Sequence, residues 1–301
     1  MQVFESLRPV HTLKNGEIIP ISIFRASSWL KSRKNLIVKA VGHDVNTAVF
    51  VMASPWDIFL GRRLMAAGVN VVRIIHDGSP HPGEYFPSRF WIRWLTRDCS
   101  RIITLSQFVA NELVSSFGVN PASINICEFP KPKVKAADTQ KSGEIKRVLL
   151  IGRGKKYQGQ SLLEEAWALI ERPGINLTIA GEGFLPKTDH SGIEYKNKWM
   201  SDDQLVDEIA ASDLVVFPYL EASQSGTIPI CKALGVPVIV TPVGGLPEQV
   251  EHGVNGIVLD EVSAAAMAEA ILAVLDNKLP KVRTKSIERK MSLVAGSITH
   301  Q

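Results

Sequence analysis

Two continuous apolar runs, each followed by a loop of small residues, constrain the fold of this chain more than any other feature. The runs at 213–218 and 236–241 lack the polar alternation of a half-exposed strand. That pattern is typical of strands buried on both faces of a parallel sheet. Small residues follow at 221–226 and 242–245, and α/β sheets bind ligands in the loops at the carboxyl ends of their strands. The segment therefore predicts an α/β unit with a ligand site.

A step of small residues opens the short helix predicted at 227–234. Ser225, Gly226 and Thr227 leave backbone N–H groups that can face an anion, plausibly a phosphate. An ordinary connection between a strand and a helix would use the same residue types. On this pattern alone both interpretations stay open.

A second loop, GRGKKYQG at 152–159, lies between a predicted strand at 145–151 and a predicted helix at 160–170. Its three glycines permit close backbone approach to a phosphate, and its three cations, among them Arg153 and Lys156, supply positive charge. No GKS or GKT closes the loop, so it is not a P-loop. A solvated basic turn is the alternative interpretation.

Length and composition indicate two domains. The chain has 301 residues, of which 45% are hydrophobic and 21% charged, and this is enough for two cores rather than one. A segment rich in Lys and Pro at 130–143 is the best domain boundary. We therefore predict an N-terminal domain at 1–135 and a C-terminal domain at 136–280. Residues 281–301 could form a crossover helix that returns to the first domain.

The cysteines and the N-terminus indicate the compartment. Cys99, Cys127 and Cys231 are isolated, a spacing that predicts neither a zinc site nor a disulfide framework. The first residues lack the unbroken apolar region of a signal peptide, and no uncharged stretch is long enough to span a bilayer. We expect a cytoplasmic protein, or one that is peripheral on the inner face of the cell membrane.

Positive charge is concentrated in the first half of the chain. Residues 1–140 contain 17 Lys and Arg against 10 Asp and Glu, whereas residues 141–301 contain 17 against 20. The first half is therefore expected to meet an anionic partner, which could be a membrane lipid, a nucleic acid or a diphosphate. No recognised nucleic-acid module accompanies the basic residues, and this disfavours a nucleic acid.

A basic and aromatic stretch, RFWIRWLTR, covers residues 89–97. On a helix its large apolar side chains would form one stripe: Phe90, Trp91, Trp94 and Leu95. The flanking cations are Arg89, Arg93 and Arg97. Such a helix can lie in a membrane interface with its arginines at the lipid phosphates. A helix packed on the sheet with a solvated basic face is the alternative.

Buried strands are also predicted at 36–41, 47–53 and 69–75, and the last of these ends in a polar loop that begins with His76 and Asp77. A histidine at a strand end beside an aspartate can orient a substrate hydroxyl or contact developing charge. A loop histidine that makes a local hydrogen bond is the alternative.

Several motifs follow one another at suitable spacing along the chain. They are IIHDGSPHPGE, ITLS, GRGKKYQG, LTIAGEG, DLVVFPYLEASQSGTIPICKALGVPVIVTPVGGLPE and HGVNGIVL. In this order they resemble the retaining, nucleotide-sugar-dependent glycosyltransferases of family 4, in an SQSG-containing form, over about residues 40–275. The resemblance implies a GT-B fold, in which two Rossmann-like domains face a cleft, with an N-terminal domain that is shorter here than the family leads us to expect.

The activity that this resemblance implies is transfer of a sugar from a nucleoside diphosphate sugar to a saccharide or lipid-linked acceptor, with retention. The pathway would be polysaccharide, lipopolysaccharide or glycolipid biosynthesis. No metal or other cofactor is expected, because the sequence contains no Asp-x-Asp of the metal-chelating glycosyltransferases. Cations and helix N-termini would then stabilise the leaving diphosphate.

The family's donor-binding residues fall on the loops of the second half. Arg153 matches the phosphate-binding arginine. Gln158 takes the place of the lysine in the YKG motif, a loss of charge that Lys155 or Lys156 could offset. Gly181 is assigned to the same site.

The catalytic residues that the resemblance implies are His76, which would contact the donor sugar, and Glu221. Glu221 stands slightly out of register for the first glutamate of a Glu-x7-Glu element. Ile230 or Cys231 occupies the place of the second glutamate. Residues 225–227 still match the backbone segment over the diphosphate.

Two other functions remain as alternatives. The short N-terminal domain, Gln158 and the missing glutamate also suit a truncated transferase or a catalytically impaired subunit that binds a sugar nucleotide. An NAD-dependent dehydrogenase or a GT-B epimerase is disfavoured, because no GxGxxG with a following acidic residue closes the first unit.

Overall fold

The computed structural model describes residues 10–12, 18–20, 37–38, 40–52, 60–80, 88–129, 132–134, 145–186 and 192–277. The chain divides into two compact units, Met1–Cys127 and Glu128–Gln301. The domain boundary predicted at 135/136 and the crossover helix predicted at 281–301 lie outside the described residues and stay predictions. Within the described ranges no helix is long and apolar enough to cross a membrane.

Among its described residues, the first unit contains four parallel strands that pair in chain order. Its elements are β1 (Val10–Thr12), β2 (Ile18–Pro20), β3 (Thr47–Phe50), α1 (Leu60–Ala66), β4 (Asn70–Ile75), α2 (Arg89–Leu95), β5 (Arg101–Thr104), α3 (Gln107–Phe117) and β6 (Ile124–Ile126). Strands β3 to β6 form the parallel sheet, and β1 and β2 form a separate antiparallel pair. The strand predicted at 69–75 is confirmed as β4.

Two strand predictions in this unit need correction. The strand predicted at 36–41 is absent from the described residues, and the strand predicted at 47–53 is present but is not fully buried. The described residues of 37–42 are helical rather than extended. Ala40 is buried while Val38 and Val41 are more than half exposed, so the apolar run turns only one side to the core, as a helix does. The strand predicted at 47–53 is present as β3, but it lies at the edge of the sheet and Val49 is half exposed.

A buried ion pair lies inside the first unit, where the sequence predicts an apolar strand. Arg73 of β4 is 2% exposed, and its Nη2 donates to Oδ2 of the fully buried Asp98 at 3.0 Å. The same carboxylate accepts the backbone N–H groups of Gly61 and Arg62 of α1, at 3.1 and 2.8 Å. The Phe50 ring centre lies 4.2 Å from the guanidinium carbon. Because each buried charge has partners, the pair holds α1 against β4.

The second unit contains six strands and five helices within the described residues. They are β7 (Lys146–Ile151), α4 (Gln160–Ala168), β8 (Ile175–Ala180), β9 (Ile193–Lys196), α5 (Asp202–Ala210), β10 (Leu214–Phe217), α6 (Ile228–Ala233), β11 (Val238–Val240), α7 (Leu246–Gln249), β12 (Gly256–Val258) and α8 (Ala264–Leu275). The strands form one sheet in the order β12-β11-β10-β7-β8-β9, and every neighbouring pair is parallel.

The central strands of this sheet are buried on both faces, as their continuous apolar runs predict. Val148 and Leu150 of β7 pack on one face with α4 and α8. Leu149 and Ile151 pack on the other face with α5, α6 and α7. Alternation of side chains along the strand thus builds one hydrophobic core on each face. This is the arrangement of a doubly wound unit, and the predicted α/β class is confirmed.

Candidate functional site

The order of strands in the second sheet locates the site. From β7 the chain moves outward through β8 to β9, whereas β10, on the other side of β7, leads outward to β11 and β12. The loops after β7 and β10 therefore leave the same carboxyl edge in opposite directions. Such a reversal opens the crevice in which α/β sheets bind ligands. Both loops with predicted phosphate-binding residues lie at this reversal.

Glycines let the loop after β7 pack closely on the loop after β8. Gly154 has a φ of 61°, and a Cβ there would lie 2.1 Å from the carbonyl carbon of Gly183. Gly181 has a φ of 128°, and its Cβ would lie 1.8 Å from the Gly152 oxygen. Any side chain at these two positions would clash with backbone. Gly181 therefore brings the two loops together, and its contact with a donor stays a prediction.

Gln158 lies beneath the loop after β7 rather than on its surface. Its side chain is buried, and its Oε1 accepts the backbone N–H groups of Arg153 at 3.0 Å and Lys155 at 3.4 Å. Its Nε2 donates to the Tyr219 hydroxyl at 3.1 Å. The carboxamide thus links this loop to the loop after β10. That geometry suits a supporting residue, and a direct contact with a nucleotide stays a prediction.

Tyr219 joins the two loops. Its hydroxyl accepts from Gln158 of one loop, its carbonyl oxygen accepts from Thr241, and its ring lies edge-on to Tyr157, with 6.2 Å between the centroids. Burial raises the pKa of Tyr219 to about 12, against the opposing effect of the hydrogen bond with Gln158. The hydroxyl therefore stays protonated at neutral pH. The Leu220 N–H adds a backbone link by donating to the Tyr157 oxygen at 2.7 Å.

The segment 225–227 is held in place by a residue of α7. The Ser225 N–H donates to Oε1 of Gln249 at 2.7 Å, and Nε2 of Gln249 donates to the Ser225 oxygen at 2.9 Å. The Thr227 N–H donates to the Ser225 Oγ at 3.3 Å. Two of the three N–H groups predicted to face an anion are thus engaged within the protein. Gly226 is exposed, with open space where a Cβ would stand, so it is the part that a ligand can approach.

The loop after β11 packs against the loop after β10. The Thr241 Oγ1 donates to the Tyr219 carbonyl oxygen at 2.6 Å, and the Gly245 N–H donates to the Ala222 oxygen at 3.3 Å. Gly244 has a φ of 55°, and a Cβ there would lie 1.5 Å from that same Ala222 oxygen. Three successive loops therefore form one packed edge of the sheet.

Positive charge lies on the outer side of this edge. Arg153, Lys155 and Lys156 are exposed, and in the part of the chain that the structure describes none of them forms an ion pair. Glu221 is exposed on the loop after β10. An arginine without a carboxylate partner can bind two phosphate oxygens at once. This edge can therefore bind a phosphate or diphosphate, and the role of Glu221 stays a prediction.

His76 lies in the first unit, directly after β4. Its Nε2 is 2.9 Å from the Val51 carbonyl oxygen, and its ring is partly buried. Gly78 of the same loop rests on α3, where a Cβ would lie 2.3 Å from Oε2 of Glu112. His76 thus contacts the backbone of a residue 25 positions earlier in the same unit. A contact between His76 and a donor sugar stays a prediction.

Helix α2 packs on the core through Ile92 and Leu95, which differs from the apolar stripe that its sequence predicts. Ile92 and Leu95 are 1% and 3% exposed, whereas Phe90 is 72% exposed. Leu95 therefore does not belong to an outward apolar stripe, because residues three apart on α2 face the core. Trp91 and Trp94 are partly buried, with their rings edge-on at 6.1 Å.

The outer face of α2 is basic. Arg89 and Arg93 of α2 are exposed, as are Phe90 and, just after the helix, Arg97. The guanidinium carbon of Arg89 lies 5.2 Å from the ring centre of Phe117. The helix therefore packs on the unit, as one interpretation expected, and still presents cations and one aromatic ring outward. Contact with a membrane or an acceptor stays a prediction.

Among the described residues no three His, Cys, Asp or Glu side chains are grouped to hold a metal ion. Independence of the reaction from metals stays a prediction. Burial raises the pKa of Cys231 to about 12 and that of Cys99 to about 11, so both thiols stay protonated at neutral pH.

Two residues that build this site, Tyr219 and Gln249, were not predicted from the sequence. Tyr219 follows a buried strand and precedes the predicted ligand loop, a position at which a polar aromatic side chain signals a buried hydrogen bond. Gln249 lies 24 residues from its partner Ser225, and no local pattern of the sequence marks it.

Comparison with known families covers both units. Residues 6–127 match the family model described as Glycosyltransferase Family 4. Residues 145–277 match the family model described as Glycosyl transferases group 1. The two matches together span most of the chain.

Curated relatives are similar over part of their length. The D-inositol 3-phosphate glycosyltransferase of Mycolicibacterium smegmatis is 30% identical over 213 residues, which are 64% of this chain and 49% of the relative. A GDP-mannose-dependent alpha-(1-6)-phosphatidylinositol monomannoside mannosyltransferase of Mycobacterium tuberculosis is 25% identical over 259 residues, which are 77% of this chain and 67% of the relative. The chain spans about half the length of the inositol phosphate glycosyltransferases that it matches.

Solved structures share the fold. A glycosyltransferase from Rickettsia africae superposes with a TM-score of 0.64 at 15% identity and covers 85% of this chain and 73% of its own. HepE from Anabaena, in complex with UDP, gives a TM-score of 0.63 at 17% identity, over 88% of this chain and 82% of its own. The predicted GT-B fold is confirmed.

Proposed function

The chain belongs to glycosyltransferase family 4, and we propose that it transfers a sugar from a nucleoside diphosphate sugar to an acceptor. The diphosphate binds at the carboxyl edge of the second sheet, between Arg153 and Gly226. A structural neighbour, HepE, has been solved with UDP, which agrees with a nucleotide ligand for this fold. The reaction proceeds with retention and without a metal.

One observation carries this proposal. The Gln158 carboxamide joins the two loops at the strand-order reversal, through backbone N–H groups on one side and the Tyr219 hydroxyl on the other. The loop after β7 is thereby fixed, while Arg153 stays exposed on it. A cation carried on a fixed loop at a sheet edge suits a diphosphate ligand.

The chemistry follows from the charge on the leaving group. As the bond between the sugar and the diphosphate breaks, negative charge grows on the bridging phosphate oxygen. The Arg153 guanidinium donates hydrogen bonds to phosphate oxygens and stabilises that charge. Because the loop is already held by Gln158, little reorganisation accompanies the reaction. Glu221, exposed on the neighbouring loop, contacts the sugar hydroxyls.

Direct titration tests the donor. UDP, GDP, UDP-glucose and GDP-mannose are titrated by calorimetry, and each sugar nucleotide is then incubated with saccharide acceptors. At least one nucleotide is expected to bind with a Kd near or below about 100 μM, and proton NMR is expected to show a product with the anomeric configuration of its donor. Failure of all four to bind would overturn the proposal.

His76 of the first unit is proposed to act on the donor sugar. His76→Ala is expected to lower the transfer rate by roughly a hundredfold while the Kd for the nucleoside diphosphate changes less than about twofold. His43→Ala, at an exposed histidine of the same unit, is the matched control and should leave transfer unchanged. Equal rates for His76→Ala and the unaltered chain would exclude this role.

A second candidate function is a sugar-nucleotide-binding subunit without transferase activity. Its specific support is Gln158, which is neutral and buried where the family carries a lysine. In the same experiments, binding of a nucleotide without transfer to any acceptor would favour this candidate over the enzyme.

The acceptor is proposed to be a saccharide or a lipid-linked saccharide at the inner face of the cell membrane. Support comes from α2, which turns Phe90 and the cations Arg89 and Arg93 outward. An aromatic ring with cations around it suits a lipid surface with anionic headgroups. On this proposal the protein is peripheral to the membrane and acts in polysaccharide or glycolipid biosynthesis.

A further inference from the structure

Gln249, at the end of α7, is the residue that orients the backbone of the ligand loop. We propose that Gln249 is a positioning residue for the diphosphate, acting through the peptide unit between Ser225 and Gly226. This inference rests on the proposed function, since it assigns a residue to the same diphosphate site.

The contact is reciprocal. Gln249 accepts from the Ser225 N–H at 2.7 Å and donates to the Ser225 carbonyl oxygen at 2.9 Å. One hydrogen bond would leave the backbone free to rotate about it. Two bonds from one carboxamide fix both polar groups of Ser225 at once, so the conformation of the loop at this point is determined by Gln249.

Planarity of the peptide bond carries this constraint to the next residue. The Ser225 carbonyl and the Gly226 N–H belong to one trans peptide unit, in which the two groups point in opposite directions. Because the carbonyl points to Gln249, the Gly226 N–H points away from it. Gly226 is exposed, and no side chain covers that N–H group from its own residue. The N–H is therefore presented to a ligand.

Gln249 is itself held by the core. Leu246 and Val250, which flank it, are 0% and 4% exposed and belong to the same hydrophobic cluster as Ile228 of α6. The Lys232 Nζ donates to the Gln249 backbone oxygen at 3.3 Å. Because Gln249 is held by the packed core, its carboxamide fixes the loop relative to that core.

A neutral side chain is required for this task. A carboxylate could accept from the Ser225 N–H but has no hydrogen to donate to the Ser225 oxygen. It would also place a negative charge next to an anionic ligand. A glutamine supplies the donor and the acceptor without either cost.

Gln249→Met tests the proposal because it keeps the shape of the side chain and removes both hydrogen bonds. Titrations compare UDP with UMP and GDP with GMP on the full chain. The variant is expected to bind the diphosphate about tenfold more weakly, since two hydrogen bonds that orient the loop are lost. On this proposal the Gly226 N–H meets the phosphate that the monophosphate lacks, so affinity for the monophosphate should change less than about twofold.

Two further variants keep the test decisive. Asn255→Leu removes a comparable bond, from the Glu251 N–H to the Asn255 Oδ1 at 3.0 Å, before β12 and should alter neither affinity. Gln249→Glu retains the acceptor for the Ser225 N–H. It replaces Gln249→Met in the titrations if the Met variant does not fold. It should show the same selective loss for the diphosphate.

The outcomes separate this inference from the proposed function. Equal losses for diphosphate and monophosphate, or no loss for either, would overturn the role of Gln249 and leave the nucleotide site intact. If the unaltered chain binds neither UDP nor GDP, the proposed function falls and this inference falls with it.

Discussion

Two arginines, one in each unit, show opposite uses of the same side chain. Arg73 of the first unit is 2% exposed and paired with Asp98, which is itself fully buried. Arg153 of the second unit is exposed on a loop, and within the described residues it has no carboxylate partner. The first arginine is neutralised inside the fold, whereas the second keeps its charge for a ligand.

The difference separates structural from functional charge. Taking an ion out of water costs several kcal/mol, so a buried arginine needs a partner, and that partner also occupies its hydrogen-bonding capacity. An exposed arginine on a fixed loop loses little hydration and can exchange water for phosphate oxygens. Removal of Asp98 should therefore lower the stability of the first unit. Removal of Arg153 should instead weaken ligand binding by the second unit.

The largest effect is expected for Asp98→Ala. The change leaves Arg73 buried without its carboxylate and leaves two N–H groups of α1 without an acceptor, so the free energy of unfolding should fall by roughly 3–5 kcal/mol. Urea unfolding followed by fluorescence measures it. Asp276→Ala, which removes the partly exposed partner of Arg172 at 2.6 Å, is the control and should cost below about 1 kcal/mol. Similar losses in both variants would contradict the distinction.

An intermediate effect is expected for Arg153→Gln. Affinity for the nucleoside diphosphate should fall by about ten- to a hundredfold, because hydrogen bonds from a charged donor to phosphate are lost, while the unfolding midpoint should stay unchanged. Calorimetric titration measures the affinity. Lys146→Gln is the control. It removes a charge from the amino end of β7, at the edge of the sheet opposite the candidate site, and should leave affinity unaltered. If both variants bind equally well, Arg153 has no phosphate role.

The smallest effect is expected at the basic face of α2. Phe90→Ser combined with Arg93→Gln should weaken association with vesicles of anionic lipid by roughly tenfold, from lost apolar contact and lost charge. Both side chains are exposed, so stability should not change. Flotation of the protein with the vesicles measures the association. Leu169→Ser, at an exposed apolar residue of the second unit, is the control. If the double variant floats with the vesicles as well as the unaltered chain does, α2 has a packing role and no role in membrane association.

The sequence predicted the second unit better than the first. The buried runs of β7, β10 and β11 were predicted correctly, because strands covered on both faces are apolar without interruption. The short apolar run at 36–41 predicts a strand, but its described residues are helical, because so short a run does not distinguish a strand from a helix. The burial of Arg73 within β4 was not predicted, because its partner Asp98 lies 25 residues away.

For the site, the sequence indicated the loops but not what holds them. Arg153, Ser225 and Gly226 were identified from glycine content, charge and family motifs, and the loops that carry them do lie together at the reversal of strand order. Gln158 was predicted to contact the ligand. In the structure its side chain bonds to the Arg153 N–H and to the Tyr219 hydroxyl, a geometry that supports the two loops. Gln249 was not identified at all.

The sequence by itself determined the α/β class, the central strands of the second unit and the two loops at their ends. These features depend on residues two to four positions apart, whose periodicity the sequence displays directly. Only the tertiary structure decided which side chains connect the loops. The bond from Gln158 to Tyr219 spans 61 residues, and that from Ser225 to Gln249 spans 24. Such pairs exist only because β7, β10 and β11 lie side by side in the folded sheet.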